Sequence, residues 1–405
     1  MTFKYGIEQL TVSKVIAIAN GSLQAELTSQ SIAAVQACRK KVEKMASGTA
    51  AVYGINTGFG PLCDVQITPA ETSTLQKNLL ITHAVGVGKN IDKQLSKIMM
   101  ICKVHALCQG YSGVRLELIE RIIYFIEHDL LPAVPEQGSV GASGDLAPLS
   151  HLFLPIIGEG EFWVGTEIVP AKEILAAHQL AILPLAAKEG LGLINGTQFI
   201  LAHSITGLQK MEYLLDLADV SGAMSIEGYK GSSSPFRAEL HRIRPFKGSI
   251  KVAERMRNLF KDSQNITSHE NCERVQDPYS MRCIPQVHGA SRNAYSHLLE
   301  LAEIEMNSVT DNPIILSDTE AISGGNFHGQ PLAMALDYCS IAASELGNIA
   351  DRRCYLLLEG KYGLPRLLTK SGGLNSGFMI PQYTTAALVT ENKSLCFPPS
   401  ADSIP

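Results

Sequence analysis

Residues 331–359, PLAMALDYCSIAASELGNIADRRCYLLLE, decide the fold. Pro331 suits the first turn of a helix, where its missing N–H costs no bond. Gly360 follows Glu359 as a stop. Between them Ala333, Ala335, Ala342, Ala343, Ser344 and Gly347 supply small side chains, which let neighbouring helix axes come close. A helix of ~27 residues is about 40 Å long, more than one compact layer covers. The segment therefore predicts the core of a long-helix bundle, shared between subunits or, in the simpler alternative, buried within one chain.

Other stretches agree. A helix is expected over 290–306, ending before the Asp311-Asn312-Pro313 turn, and another over 196–227, closed by Gly228. Over 114–130, Leu118, Ile119, Ile122, Ile123 and Ile126 recur at helical spacing between Arg115, Glu120 and Glu127, until Pro132 and Pro135 end the pattern. Strand signals are few. Phe162-Trp163-Val164 and Ile168-Val169 flank a Gly165-Thr166 turn, and Ile314-Ile315-Leu316 and Ala321-Ile322 flank a polar one. The expected class is mainly α, with a smaller N-terminal region over 1–195, a long-helix bundle over 196–405 and a few short β-hairpins.

Composition narrows the function. The 405 residues are 45% hydrophobic and 18% charged, with a net charge of −5. This balance excludes the basic face of a nucleic-acid binder and attachment to anionic lipid. The apolar runs, such as Ile122–Ile126, are far shorter than the ~20 residues of a membrane span. The N-terminus, Met1-Thr2-Phe3-Lys4-Tyr5-Gly6, carries no signal-peptide core. Nine cysteines, at 38, 63, 102, 108, 272, 283, 339, 354 and 396, form no Cys-x-x-Cys pair. They predict free thiols in a reducing cytoplasm and no cysteine-ligated metal.

Chemistry concentrates in residues 138–148, Gly-Ser-Val-Gly-Ala-Ser-Gly-Asp-Leu-Ala-Pro. A phosphate loop would need a Gly-Lys-Ser/Thr end. A hydrolase elbow would need glycine where Asp145 stands. A flexible turn, or a cap by Asp145 on a helix starting at Leu146, remains open. A sharper reading uses the tripeptide itself. Attack of the Gly144 nitrogen on the Ala142 carbonyl closes a five-membered ring; the hydroxyl this leaves on the former carbonyl carbon departs as one water, and loss of the Ser143 hydroxyl as a second leaves an exocyclic methylidene. Gly144 lacks the Cβ that would obstruct this approach, Ser143 carries the departing hydroxyl, and Ala142 is small. The product is a carbon electrophile, a 4-methylidene-imidazol-5-one.

The stretch Gly141-Ala142-Ser143-Gly144-Asp145-Leu146-Ala147-Pro148-Leu149-Ser150 resembles the cofactor-forming signature of the aromatic amino acid ammonia-lyases. Five further segments resemble the same family, in order along nearly the whole chain. They are Tyr53-Gly54-Ile55-Asn56-Thr57-Gly58-Phe59-Gly60, 78–83 ending at His83, Glu189-Gly190-Leu191 through Asn195-Gly196-Thr197, Gln276-Asp277-Pro278-Tyr279-Ser280-Met281-Arg282-Cys283, and Gly325-Asn326-Phe327-His328-Gly329-Gln330. The resemblance implies a fumarase/aspartase-like superhelical core and a methylidene-imidazolone from Ala142-Ser143-Gly144, with no metal or dissociable cofactor. It also implies a cytoplasmic homotetramer with shared active sites, and a C-terminal segment beyond Pro405 that family members carry and this chain lacks.

Ammonia elimination is slow because an amino group leaves poorly and a β-proton is weakly acidic. An electrophile addresses the first difficulty and a positioned base the second. The resemblance makes Tyr53 the base; with an unperturbed phenol pKa of ~10, that role calls for a positive environment such as helix N-termini. It assigns Arg282 to a paired grip on the substrate carboxylate, Asn195 and Tyr279 to hydrogen bonds with substrate or ring, Gln276 to the polar network and Phe327 to packing. Asn195 is equally placed to cap the helix that follows. Thr82-His83 resembles the histidine-specific branch, in which His83 faces the substrate side chain. The expected reaction is therefore L-histidine to urocanate and ammonia. Elimination or amino-group migration on phenylalanine or tyrosine is one alternative, and an inactive helical scaffold is another.

Overall fold

The structure, a computed structural model, describes residues 2–269 and 274–402. In chain order the helices are α1 (Val12–Ala19), α2 (Ser29–Ala46), α3 (Thr72–His83), α4 (Lys93–Leu107), α5 (Leu116–Glu127), α6 (Leu146–Phe153), α7 (Ala171–Ala177), α8 (Glu189–Ile194), α9 (Gln198–Gly228), α10 (Ala238–Arg242), α11 (Lys247–Leu259), α12 (Gln264–Thr267), α13 (Tyr279–Arg282), α14 (Ile284–Met306), α15 (Gln330–Leu358) and α16 (Met379–Leu395). The protein is mainly α, as expected. Both hairpins form: Glu161–Val164 pairs antiparallel with Glu167–Pro170, and Ile314–Ile315 with Ala321–Ile322. Among the described residues no helix is long and apolar enough to cross a membrane. The described cysteines are free thiols, and Cys272 lies outside the described residues.

Two compact units divide the chain. The first contains the described residues of Met1–Thr206, Leu301–Ala333 and Asp402–Pro405, so it draws on both sides of residue 195. In it α5 buries Leu118, Ile119, Ile122, Phe125 and Ile126, while Ile123 is only half-buried. The Phe125 ring meets Phe162 of the first hairpin edge-on, centroids 5.2 Å apart. α4 is buried on every side from Ser96 to Leu107, and so shows no polar face in its sequence.

The second unit comprises Gly207–Glu300 and Met334–Ala401. Its core gathers Ile226, Tyr229, Phe236, Val252, Met256, Met281 and Ile284. A buried charged chain adds to it. The carboxylate of Asp219 on α9 accepts hydrogen bonds from Arg255, Arg292 and His288 Nδ1, and Arg353 on α15 lies 3.4 Å from His288 Nε2. The Nδ1–H of a neutral His288 serves Asp219, and its Nε2 accepts from Arg353.

α11 and α14 touch at two glycines. A Cβ on Gly289 would lie 2.5 Å from Ser249 N, and one on Gly248 would lie 2.0 Å from Gly289 O. Both obstacles are backbone, so neither can move aside without separating the helices. Gly289→Ala is therefore expected to cost about 1–3 kcal/mol, read as a lower thermal unfolding midpoint; a midpoint equal to wild type contradicts this packing. The sequence pattern started this helix at residue 290, whereas α14 begins at Ile284. Pro285 falls in its first turn, where no N–H is required, and Gly289 answers the approach of α11 rather than ending the helix.

Candidate active site

The 141–144 segment is a tight turn anchored from outside. Gly141–Ser143 form one 3-10 turn, and Gly144 follows with φ 82° and ψ 174°, a conformation open essentially to glycine alone. A Cβ at Gly144 would meet Gly196 O at 3.1 Å, Phe327 Cβ at 3.2 Å and Phe327 O at 3.3 Å. Gly329 N donates to Gly141 O at 2.9 Å, and Asp145 N donates to Gly196 O at 2.8 Å. Phe327 and the Asn195-Gly196 turn thus close over the tripeptide.

Asp145 holds the turn from beneath. Its carboxylate, 2% exposed, accepts from Ser139 Oγ at 2.7 Å and from the Phe199 and Ile200 N–H groups at 2.9 and 3.0 Å. Burial pushes this carboxyl above its usual range, against the opposing pull of these donors and of Lys103. Asp145 precedes α6 but makes no side-chain bond to it. It caps the start of α9 instead, so the cap expected on its own helix is corrected. Asn195 does not cap α9 either; its Nδ2 donates to Asn312 O at 2.9 Å.

Tyr53 and His83 belong to the same unit. Tyr53 sits in a turn pinned by Asn56, which accepts from Val52 N at 2.7 Å and donates to Ala50 O at 2.9 Å. Its half-buried phenol oxygen accepts from Gly60 N at 3.4 Å. His83 ends α3, with Nδ1 2.8 Å from Leu79 O. That contact requires a proton on Nδ1 and leaves Nε2 as the acceptor nitrogen. α8 carries both elements: Gln76 of α3 accepts from Gly190 N at 2.8 Å, and Gly54, beside Tyr53, lies against Leu191.

Gln276, Tyr279 and Arg282 lie in the second unit. Arg282 Nε donates to Asp277 O at 3.1 Å and its guanidinium carbon sits 4.5 Å over the Tyr279 ring. Gln276 and Arg282 line a cavity of about 580 Å³. Tyr279 is 73% exposed. Asp277 organises the segment, with one carboxylate oxygen on Arg274 and the other on Ser232 N, both at 2.6 Å.

Sequence reasoning passed over the buried polar groups around the 192–196 turn. Lys188 pairs with Asp311 at 2.6 Å, both buried. Lys103 Nζ donates to Asn195 O at 2.6 Å and to Gly192 O at 3.2 Å. The one visible signal was a lysine inside the apolar run 98–107. Among the described residues no group of three or more His, Cys, Asp or Glu is placed to hold a metal.

The fold and this turn fit one class of enzyme. Residues 10–405 match the aromatic amino acid lyase family, and the chain belongs to it; it is a carbon–nitrogen lyase. The histidine ammonia-lyase of Streptococcus pyogenes is 46% identical over 399 residues, covering 98% of this chain and 78% of that protein. The crystal structure of histidine ammonia-lyase from Trypanosoma cruzi superposes with a TM-score of 0.89 at 38% identity, covering 100% of this chain and 76% of that one. Tyrosine aminomutase from Streptomyces globisporus superposes with a TM-score of 0.91 at 34% identity, covering 100% and 80%.

Proposed function

We propose that this chain eliminates ammonia from L-histidine to give urocanate, using a methylidene-imidazolone formed from Ala142, Ser143 and Gly144. The observation that carries the reading is the closed turn itself: a glycine in a glycine-only conformation, roofed by Phe327 and Gly196 and tied down by Asp145. Histidine as substrate is supported by the near full-length likeness to a histidine ammonia-lyase.

The turn fits the group. The space a Gly144 Cβ would need is taken, and the outward anchors lie at Gly141 and Asp145, leaving the tripeptide between two fixed ends. When formed, the ring supplies the electrophile that turns the amino group into a good leaving group. The remaining work belongs to side chains. Tyr53 takes the β-proton. Arg282 grips the carboxylate, Asn195 and Tyr279 hydrogen-bond substrate or ring, and Gln276 orders the polar network. Phe327 packs against the tripeptide. His83 Nε2 accepts from the substrate imidazole N–H.

We place the enzyme in the cytoplasm as a homotetramer with shared sites. For association between subunits the support is apolar surface on two long helices: Tyr213 and Met224 of α9 and Met334 of α15 are 67%, 68% and 61% exposed, side chains that a neighbouring subunit would cover.

The direct test adds L-histidine to the protein and follows urocanate by its ultraviolet absorbance, with intact mass measured on the same sample. Growth of absorbance and a mass lower than the sequence by two waters are expected. Cinnamate from phenylalanine without urocanate from histidine would move the substrate assignment. His83→Leu is expected to lower kcat/KM for histidine by about 10–100-fold, the loss of one buried hydrogen bond to substrate; an unchanged value removes His83 from the site.

A further inference from the structure

We infer that Lys103 is a positioning residue for the proposed site: its buried amine clamps the 192–196 turn and so fixes Asn195 and the anchored end of the tripeptide. The inference rests on the reading that Asn195 and Ala142-Ser143-Gly144 form that site.

Lys103 is 2% exposed, a rare state for lysine. Among the described residues its nitrogen bonds carbonyls, those of Asn195 at 2.6 Å and Gly192 at 3.2 Å. The Gly192 carbonyl is one of those a helix end leaves without a backbone partner, here the end of α8. The Asn195 carbonyl belongs to the peptide plane joining Asn195 to Gly196. One side of that plane carries the Asn195 amide, held on Asn312 O at 2.9 Å. The other carries Gly196, whose carbonyl takes Asp145 N–H at 2.8 Å and roofs Gly144. A single amine therefore sets the orientation of a proposed substrate-binding amide and of the backbone that seats the tripeptide.

The charged groups facing Lys103 are Asp311 and Asp145, which favour its cation, and Lys188, which opposes it. Burial outweighs them and lowers its pKa to about 7. The clamp survives this titration, because a neutral amine still has two N–H donors for the two carbonyls.

The test compares full-length wild type, Lys103→Met and Lys103→Gln with L-histidine. Lys103→Met keeps the apolar stem and loses the donors. Its kcat is expected to fall about 10²-fold, the scale of a sub-ångström to 1 Å misplacement, while KM changes less than about threefold. In an Asn195→Ala background the same substitution is expected to cost less than about threefold in kcat, since residues that act through one another are not additive. Lys103→Gln, with two donors on a shorter stem, should recover part of the loss. If only Lys103→Gln folds, its kcat and KM are read in the same way. Wild-type kcat in a folded Lys103→Met, or losses that multiply in the double variant, overturns the inference. So does failure of both variants to fold, which makes Lys103 a folding residue. The wild-type control separates the two readings: an inactive or uncyclised wild type sinks the proposed function and this inference with it, whereas an active wild type beside an unimpaired Lys103→Met sinks the inference alone.

Discussion

Ser143→Ala is expected to lower kcat for L-histidine by at least about 10³-fold, the scale on which an enzyme loses a covalent catalytic group. The side chain holds almost nothing in the fold. Among the described residues its hydroxyl makes one long contact, 3.4 Å to Val140 O, at a half-buried position, so the change in stability should stay within about 0.5 kcal/mol. Alanine offers no hydroxyl to lose, so no exocyclic double bond can form. The variant should therefore keep the wild-type unfolding midpoint, and its intact mass should lack the loss of two waters. Ser143→Ala turning over histidine at the wild-type rate would exclude the tripeptide as the source of the electrophile.

The largest effect on stability is expected at Asp219. Burial pushes its carboxyl up, but hydrogen bonds from His288 and Arg292 outweigh this and hold it below the usual range. It faces Arg255 and Arg292 directly and His288 through Nδ1. Asp219→Ala leaves these donors in the core without their shared acceptor, a loss of about 3–5 kcal/mol for a broken buried charge network. The unfolding midpoint should drop by roughly 5–10 °C. Asp216 serves as the control. It also contacts Arg255 and Arg292, but its side chain is 49% exposed, and water already screens it. Asp216→Ala should shift the midpoint only slightly; equal shifts for the two would show that burial is not what gives Asp219 its weight.

The long helices were legible because their ends are marked locally. Gly228, Pro331 and Gly360 sit where α9 ends, α15 begins and α15 has ended. α4 was not legible, since a helix buried on every side has no polar stripe to reveal its period. The start of α14 was misplaced because Pro285 and Gly289 resemble stop signals when the first turn and the neighbouring α11 are not in view. At the candidate site, the tripeptide and its companion segments could be read because cyclisation depends on residue types at adjacent positions. Lys103 and Asp311 could not. Their partners lie 92 and 123 residues away in sequence, and nothing local says which backbone carbonyl a buried amine will meet. Asp145 shows the same limit in reverse: its type was read correctly as a cap, but the helix it serves starts more than fifty residues further on.

This last arrangement bears on transplantation. The first amides of α9 and the turn that precedes α6 share one carboxylate, so each end completes the hydrogen bonding of the other. A protein engineer who grafts Ala-Ser-Gly into a foreign hairpin moves the reactants and leaves the vice behind. A productive graft must carry the aspartate and offer it a second helix start in the host, at the distance these two elements keep.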